Sequence, residues 1–207
     1  ALQTLPHEQA ISIKVPSCAS RWLLRRLQAF EGEAVEVRGS HSHGIDFSRE
    51  PFDLAIVYQS CQARYPHSQS LFRERLTPVC APAFAAKHRL FERTIEELPR
   101  LPLLHASADR RDWRNWFAAF LDTPWQPQGG QLFDTLDLAM NAALQGFGLS
   151  LGDPTIVAEE LESGALVAPF APVLETDHEY ALLARPDSQR QGVARTCHWL
   201  LESRDHP

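Results

Sequence analysis

Ile11-Ser12-Ile13-Lys14-Val15-Pro16-Ser17-Cys18-Ala19-Ser20-Arg21-Trp22-Leu23-Leu24 reads as a strand that runs through a short polar turn into a helix. Its first five residues alternate apolar and polar, the period of a half-buried strand. Leu23, Leu24, Leu27 and Phe30 then recur at helical spacing, and Gly32 ends that helix. Further along, Glu33 to Arg38 alternates again, with Ala34, Val35 and Val37 as its apolar members. Gly39 to Glu50 offers a short helix at most. Phe52-Asp53-Leu54-Ala55-Ile56-Val57-Tyr58 is nearly continuous in apolar residues, as a strand buried on both faces would be. Strands alternating with helical segments over so short a span specify an α/β fold with a parallel sheet.

The rest of the chain repeats that grammar. Leu71 to Cys80 is extended, Pro82 closes it, and a short helix runs through Phe84 and Ala85. Ile95 to Leu98 is a small helix stopped by Pro99, and Leu101 to His105 is a strand. Asp112 is placed to cap a helix carrying Trp113, Trp116, Phe117 and Phe120 on one face. After a loop containing Pro124, Pro127, Gly129 and Gly130, Gln131 to Phe133 is extended. Asp134 or Thr135 caps a helix from Leu136 to about Leu144, which Gly146 stops. Leu149–Leu151, Leu166-Val167 and Tyr180–Leu183 read as strands, and Pro154–Leu161 and Gly192–Glu202 as helices. A second α/β unit therefore follows the first, with no flexible linker between them. In such pairs a ligand is expected in the cleft between lobes, near the carboxyl ends of strands.

Composition narrows the function. The 207 residues carry 26 acidic and 20 basic side chains, a formal net charge of −6, with 44% apolar and 22% charged residues. That is an ordinary globular composition. Phosphate binding needs clustered cations, and only Arg21, Arg25 and Arg26 form such a group, so the chain as it stands is not expected to bind nucleic acid. No apolar run approaches the roughly 18 residues of a membrane helix. The opening Ala1-Leu2-Gln3-Thr4 has no leader character, which fits either a cytoplasmic fragment or a mature chain. Cys18, Cys61, Cys80 and Cys197 show no C-x-x-C spacing and are expected as mostly buried thiols in a reducing compartment, without structural zinc.

Several motifs could carry chemistry. Gly146-Phe147-Gly148-Leu149-Ser150-Leu151-Gly152 has dinucleotide-like spacing, but its glycines end a helix and flank a strand, the reverse of that fingerprint. His41-Ser42-His43 puts two imidazoles on one face of an extended segment without a third ligand nearby, so no metal is expected. No G-x-S-x-G signature accompanies the cysteines, histidines or Asp153, and no enzyme is expected. Cys18, near a helix N-terminus, is either an exposed thiol of lowered pKa or a small buried residue. Ser17 to Ser20 offers hydroxyls and free N–H groups to a carboxylate, helped by the helix dipole. Simple N-capping by Ser20 is the other reading.

At this point an ordered set of segments becomes informative. Pro16 to Leu27, Phe52 to Tyr58, Leu71-Phe72…Leu76-Thr77-Pro78-Val79-Cys80 and Leu101 to His105 are followed by Asp112-Trp113-Arg114-Asn115-Trp116, Phe133-Asp134, Gly146 to Gly152 and Gly164 to Phe170. Together they resemble the regulatory domain of LysR-type transcriptional regulators, in the branch of the glycine-cleavage activator and β-lactamase regulators. The resemblance spans about residue 10 to the end.

It implies two Rossmann-like lobes of the type II periplasmic-binding-protein kind, joined by crossover strands. Lobe I would take 1–78 and 184–207, and lobe II 79–183. An N-terminal winged helix-turn-helix, absent from this chain, would contact DNA. The implied function is that of a cytoplasmic effector-sensing and oligomerising domain without enzymatic activity, cofactor or metal. The alternative is a stand-alone solute-binding protein of a transporter. Implied partners are a small metabolite, a second copy or more of the chain (homodimer or homotetramer), DNA through the missing domain, and RNA polymerase, with no membrane. The oligomer would form through Arg21 to Phe30 and Glu33 to Arg38.

The resemblance places the effector against Ser17 and Ser20 at the helix start, Tyr58, Gln59 and Ser60 after the third strand, and His105 at the crossover. Phe133, Asp134 and Thr135 would line the opposite lobe, with Gly148 and Asp153 on the adjoining turn and Tyr180 at the floor. Many relatives of this branch carry Arg where Val57 stands, which disfavours a second anionic group on the ligand. Asp134 and Asp153 would instead receive an ammonium, so an amino acid or amine is the preferred ligand class over an organic acid.

Overall fold

The computed structural model describes residues 10–122, 125, 129–186 and 188–205. In chain order its elements are β1 (Ile11–Pro16), α1 (Ser20–Leu27), β2 (Val35–Ser40), β3 (Leu54–Ser60), β4 (Gln69–Val79), α2 (Pro82–His88), β5 (Leu104–His105), α3 (Arg111–Phe120), β6 (Gln131–Leu132), α4 (Leu136–Leu144), β7 (Ser150–Gly152), α5 (Ala158–Glu162), β8 (Leu174–Ala184) and α6 (Gln191–Glu202). They form two compact units. One holds the described residues up to Glu74 and those from Asp177 onward, and the other holds Arg75–Thr176. Both boundaries between these units fall inside strands of 11 residues each, β4 and β8.

In the first unit the strands run β2-β1-β3-β8. β1 is parallel to both β2 and β3, and β3 is antiparallel to β8 from Leu54↔Ala184 to Ser60↔His178. Ala55 and Val57 on β3 pack with Ala181 and Leu183 on β8, and Ile45 and Phe47 lie against this cluster. Helix α1 differs from expectation. A 3-10 turn at Ser17–Ala19 precedes it, it stops at Leu27 before reaching Phe30, and it buries Trp22 and Leu23 while Leu24 stays 53% exposed. Gly39 to Glu50 contains turns and no helix, because its carbonyls bond to cations from elsewhere in the unit. Arg185 donates to the carbonyls of Phe47, Glu50 and Phe52, and the buried Lys14 ammonium donates to Gly44 O at 2.9 Å and to Glu50 Oε2 at 2.6 Å.

The second unit is organised around three aromatics of α3. Trp113, Trp116 and Phe117 are buried together with Leu76, Phe84, Leu90, Leu98, Leu149 and Phe170. Both indoles are hydrogen-bonded, as the large majority of buried N–H groups are. Trp113 Nε1 donates to Leu104 O at 2.9 Å and Trp116 Nε1 to Leu76 O at 3.2 Å. Strand β7 pairs antiparallel with β4, and β5 pairs parallel with β6. Several boundaries depart from the sequence reading. Arg110, in the left-handed region at φ 52°, occupies the N-cap of α3, so Asp112 lies inside the first turn. Ile95–Arg100 is a 3-10 helix with Pro99 inside it, opened by a capping box between Thr94 and Glu97. Helix α5 begins at Ala158 rather than Pro154, and Leu166-Val167 forms no strand, Val167 making one isolated bridge to Cys80. Pro124 and Pro127 of the expected loop lie outside the described residues.

Candidate functional site

The first unit holds six of the expected ligand residues, Ser17 and Ser20 at the turn into α1 and Tyr58, Gln59, Ser60 and Tyr180 on the paired strands β3 and β8. Ser17 opens the 3-10 turn and its carbonyl accepts the Ser20 hydroxyl at 2.5 Å. The N-cap of α1 is Ala19, with no side-chain cap, so Ser20 is not the capping residue. Tyr58 and Tyr180 are register partners whose rings lie 5.2 Å apart, and Tyr58 also stacks on His178 at 4.8 Å. The Tyr58 phenol donates to Glu74 Oε2 at 2.9 Å. Tyr180 is buried, and its hydroxyl lies 3.3 Å from Cys18 Sγ. Burial, reinforced by Cys18, Glu74 and Tyr58, pushes the Tyr180 phenol well above its ordinary pKa. Burial also raises the Cys18 thiol, which removes the reading of Cys18 as a thiol of lowered pKa.

Gln59 and Ser60 are engaged locally. The Gln59 amide donates to Ser68 Oγ and Glu179 Oε1 and accepts from Tyr65 N, so both ends of its side chain have partners within the unit. The Ser60 hydroxyl accepts from Gln62 N. Cys18, Glu74 and His178 complete this cluster without having stood among the expected ligand residues. Only Cys18 carried a sequence signal, its place between strand and helix.

The second unit holds the other six. His105 ends β5 and is 1% exposed, and its carbonyl accepts from Phe133 N at 2.8 Å. Its Nε2 lies 3.0 Å from Gly129 O. A carbonyl only accepts, so Nε2 carries the proton and Nδ1 is a bare acceptor, buried without a partner. Burial lowers the His105 pKa, and Arg110 lowers it further against the Gly129 bond that raises it. Thr135 is the N-cap of α4, its hydroxyl accepting from Leu138 N at 3.2 Å, while Asp134 is exposed one residue earlier. Gly148 is buried where a Cβ would come within 2.4 Å of Pro102 O. Asp153 is 1% exposed, with Oδ2 accepting from Arg75 N and Oδ1 from Thr155 N, each at 2.8 Å. Burial raises its pKa against those hydrogen bonds.

A small cavity of about 10 Å³ also lies in this unit, lined by His105, Ser107, Arg110, Asp112, Leu136 and Ser150 among others. Of these only His105 was expected at a site. Ser107 and Arg110 sit in an irregular segment that no periodicity marks, and Asp112 was read as a cap. Among the described residues no group of three His, Cys, Asp or Glu side chains is arranged to hold a metal ion. Nor is any helix there long and apolar enough to cross a membrane.

A family model described as LysR substrate binding domain matches residues 6–205. The chain belongs to this family. The LysR substrate-binding domain is 28% identical over 205 residues to the glycine cleavage system transcriptional activator of Escherichia coli (strain K12), covering 97% of this chain and 67% of that protein. It is 34% identical over 158 residues to the HTH-type transcriptional regulator PerR of the same organism, covering 75% of this chain and 52% of that protein. The chain thus spans roughly half to two thirds of these relatives. Among solved structures, the effector domain of the transcriptional regulator AmpR of Pseudomonas aeruginosa superposes with a TM-score of 0.76 at 26% identity, covering 94% of this chain and 95% of that one. The CrgA regulatory domain from Neisseria meningitidis shares the fold at a TM-score of 0.70 and 16% identity, covering 94% and 98%. The LysR-type resemblance read from the ordered segments is therefore correct, as is the α/β architecture. These relatives are transcriptional regulators, and they do not favour a transporter's solute-binding protein.

Proposed function

We propose that this LysR substrate-binding domain senses a small metabolite (an amino acid, an amine or an organic acid) and passes its occupancy to a DNA-binding region of a transcriptional regulator. The observation that carries this reading is the family match over residues 6–205, supported by the likeness to the AmpR effector domain. A ligand acts on such a domain only by preferring one conformation over another. The domain is proposed to be non-enzymatic and to act as a homo-oligomer through α1 and β2. Ser17, Ser20 and Tyr58 in the first unit and His105, Thr135 and Gly148 in the second are the proposed contacts. Asp153 and Gln59 serve the fold, since backbone or neighbouring side chains occupy their polar atoms. An amino-acid effector has a precedent in the fold: the regulator LysG of Corynebacterium glutamicum was solved with bound effector Arg.

A thermal-shift screen against amino acids, amines and small organic anions tests this. A metabolite at about 100 times its dissociation constant stabilises the native state by about 2.7 kcal/mol, which is several degrees for a domain of this size. Absence of any shift across the panel, together with turnover of one of its members, would replace the sensor with an enzyme.

A further inference from the structure

Tyr58 touches both strands by which the chain leaves and re-enters the first unit. The chain leaves after Glu74 on β4 and returns at Asp177 on β8. The Tyr58 hydroxyl donates to Glu74 Oε2 at 2.9 Å. Its ring stacks on His178, with centroids 4.8 Å apart and planes 10° from parallel. Glu74 is thus the last residue before the chain leaves, and His178 the second after it returns. In the sheet β8 stands between β3 and β4, so the side chain of Tyr58 reaches across one strand to hold the next. Glu74 is buried, and hydrogen bonds to carboxylates are among the stronger ones.

The same face continues to the start of α1. Phe72 and Glu74 are two apart on β4, and His178 and Tyr180 two apart on β8, the spacing that puts side chains on one face. The Tyr180 ring lies 5.2 Å from Tyr58 and 4.8 Å from Phe72, and Phe72 lies 5.2 Å from Trp22 of α1. The Tyr180 hydroxyl meets Cys18 Sγ at 3.3 Å, in the turn that opens α1. Trp22 and Tyr180 are both buried, and close-packed interiors transmit strain.

We propose that Tyr58 is a positioning residue that clamps both crossing strands of the first unit and couples them to the start of α1. A displacement of α1, of the kind an effector at Ser17 and Ser20 would impose, then reaches Glu74 and His178 through Tyr180 and Tyr58. The signalling role rests on the reading of the domain as an effector sensor, whereas the clamp does not.

Amide hydrogen exchange of the chain, followed residue by residue by NMR, tests both parts. Tyr58→Phe keeps the ring and drops the hydroxyl, whereas His178→Ala drops the stack. Exchange next to Glu74 in the first, and next to His178 in the second, should rise at least fivefold beyond any rise in β1. A uniform loss of stability produces no such local excess. Glu74→Gln keeps a carbonyl acceptor and His178→Phe keeps an aromatic face, so each should stay within twofold of wild type on the same measure. Cys18→Ala, which removes the contact with Tyr180, should raise exchange at both strands in the wild-type background and add nothing in Tyr58→Phe. Three results would overturn the proposal: a rise no greater than that in β1, conservative variants that behave like the disruptive ones, or additive effects of Cys18→Ala and Tyr58→Phe. The two readings fail separately. A metabolite that stabilises the chain, with exchange at β4 and β8 unchanged in both disruptive variants, removes the clamp and keeps the sensor. Locally raised exchange with no stabilising metabolite does the reverse.

Discussion

The phenol of Tyr58 on β3 donates a 2.9 Å hydrogen bond to the carboxylate of Glu74 on β4, the last residue of the first unit before the chain crosses. Glu74 is a buried acid, and hydrogen bonds to charged groups contribute about 1.5–3 kcal/mol. Tyr58→Phe removes the donor and keeps the ring stacked on His178. A loss of about 1.5–3 kcal/mol is expected in urea unfolding, with an unchanged m-value. A variant as stable as wild type would show that the bond contributes nothing net.

Asp153 makes a comparable connection in the second unit, holding Arg75 N and Thr155 N with its two oxygens. An amide offers one acceptor where the carboxylate offers two, so Asp153→Asn leaves one N–H facing an NH2 group. Destabilisation of about 1–3 kcal/mol is expected. The pH dependence has a definite sign. The folded pKa lies above the ordinary carboxyl value of 3.8, so the native state binds more protons between the two values. The contribution of Asp153 to stability therefore falls as pH rises from 3.8 through the folded value. The Asn variant should lack this component when unfolding is measured across that range.

Asp53 has the opposite sign. Burial raises its pKa, but the N–H and hydroxyl of Ser12 and the Arg190 guanidinium outweigh burial and bring it below 3.8. Its contribution is present above 3.8 and is lost as pH falls through the lower folded value. Asp53→Asn should flatten the acid limb of the stability profile.

Gly130 has φ 98°, and a Cβ there would meet Leu103 O at 2.4 Å and His105 Nε2 at 2.6 Å. Gly130→Ala is expected to cost more than about 1 kcal/mol from backbone conformation alone and to move the His105 ring. Loss of the His105 Nε2–Gly129 bond would appear as a change in the imidazole nitrogen shifts. Unchanged shifts would contradict the close approach.

Leu24 on α1 and the edge strand β2 share the face proposed for self-association. Leu24→Asp should lower the mass measured by light scattering without lowering the melting temperature of the monomer. A mass equal to that of wild type would place the interface elsewhere.

Most of the fold was legible because its signals are periodic. β1, β3, α3, α4 and α6 follow runs in which apolar spacing alone fixes the element. What escaped the sequence reading depended on contacts made far along the chain. The turns of Gly39 to Glu50 depend on Lys14 and Arg185, one on each side of the segment. The first half of β8 alternates Glu175, Asp177 and Glu179, so its pairing with β3 is masked by charge until Tyr180. The start of α3 was misplaced because Arg110, not an Asp, takes the left-handed cap. For the candidate site, the residues themselves point only to the Ser17 to Ser20 turn, and Tyr58, Gln59, Ser60, His105, Phe133, Asp134, Thr135, Gly148, Asp153 and Tyr180 rest on the family resemblance. Sequence could not say that the amide of Gln59 and the carboxylate of Asp153 are already occupied, nor that Ser107 and Asp112 share a cavity with His105.

The crossings inside β4 and β8 also set an order of assembly. Arg75–Thr176 is one uninterrupted stretch, so every residue of that unit has left the ribosome once Thr176 emerges. The other unit is split, and Ala55 and Val57 must wait for Ala181 and Leu183, more than a hundred residues later, before their cluster closes. During synthesis the inserted unit can mature first, while the earlier-made sheet keeps an unpaired edge at β3 until β8 is made.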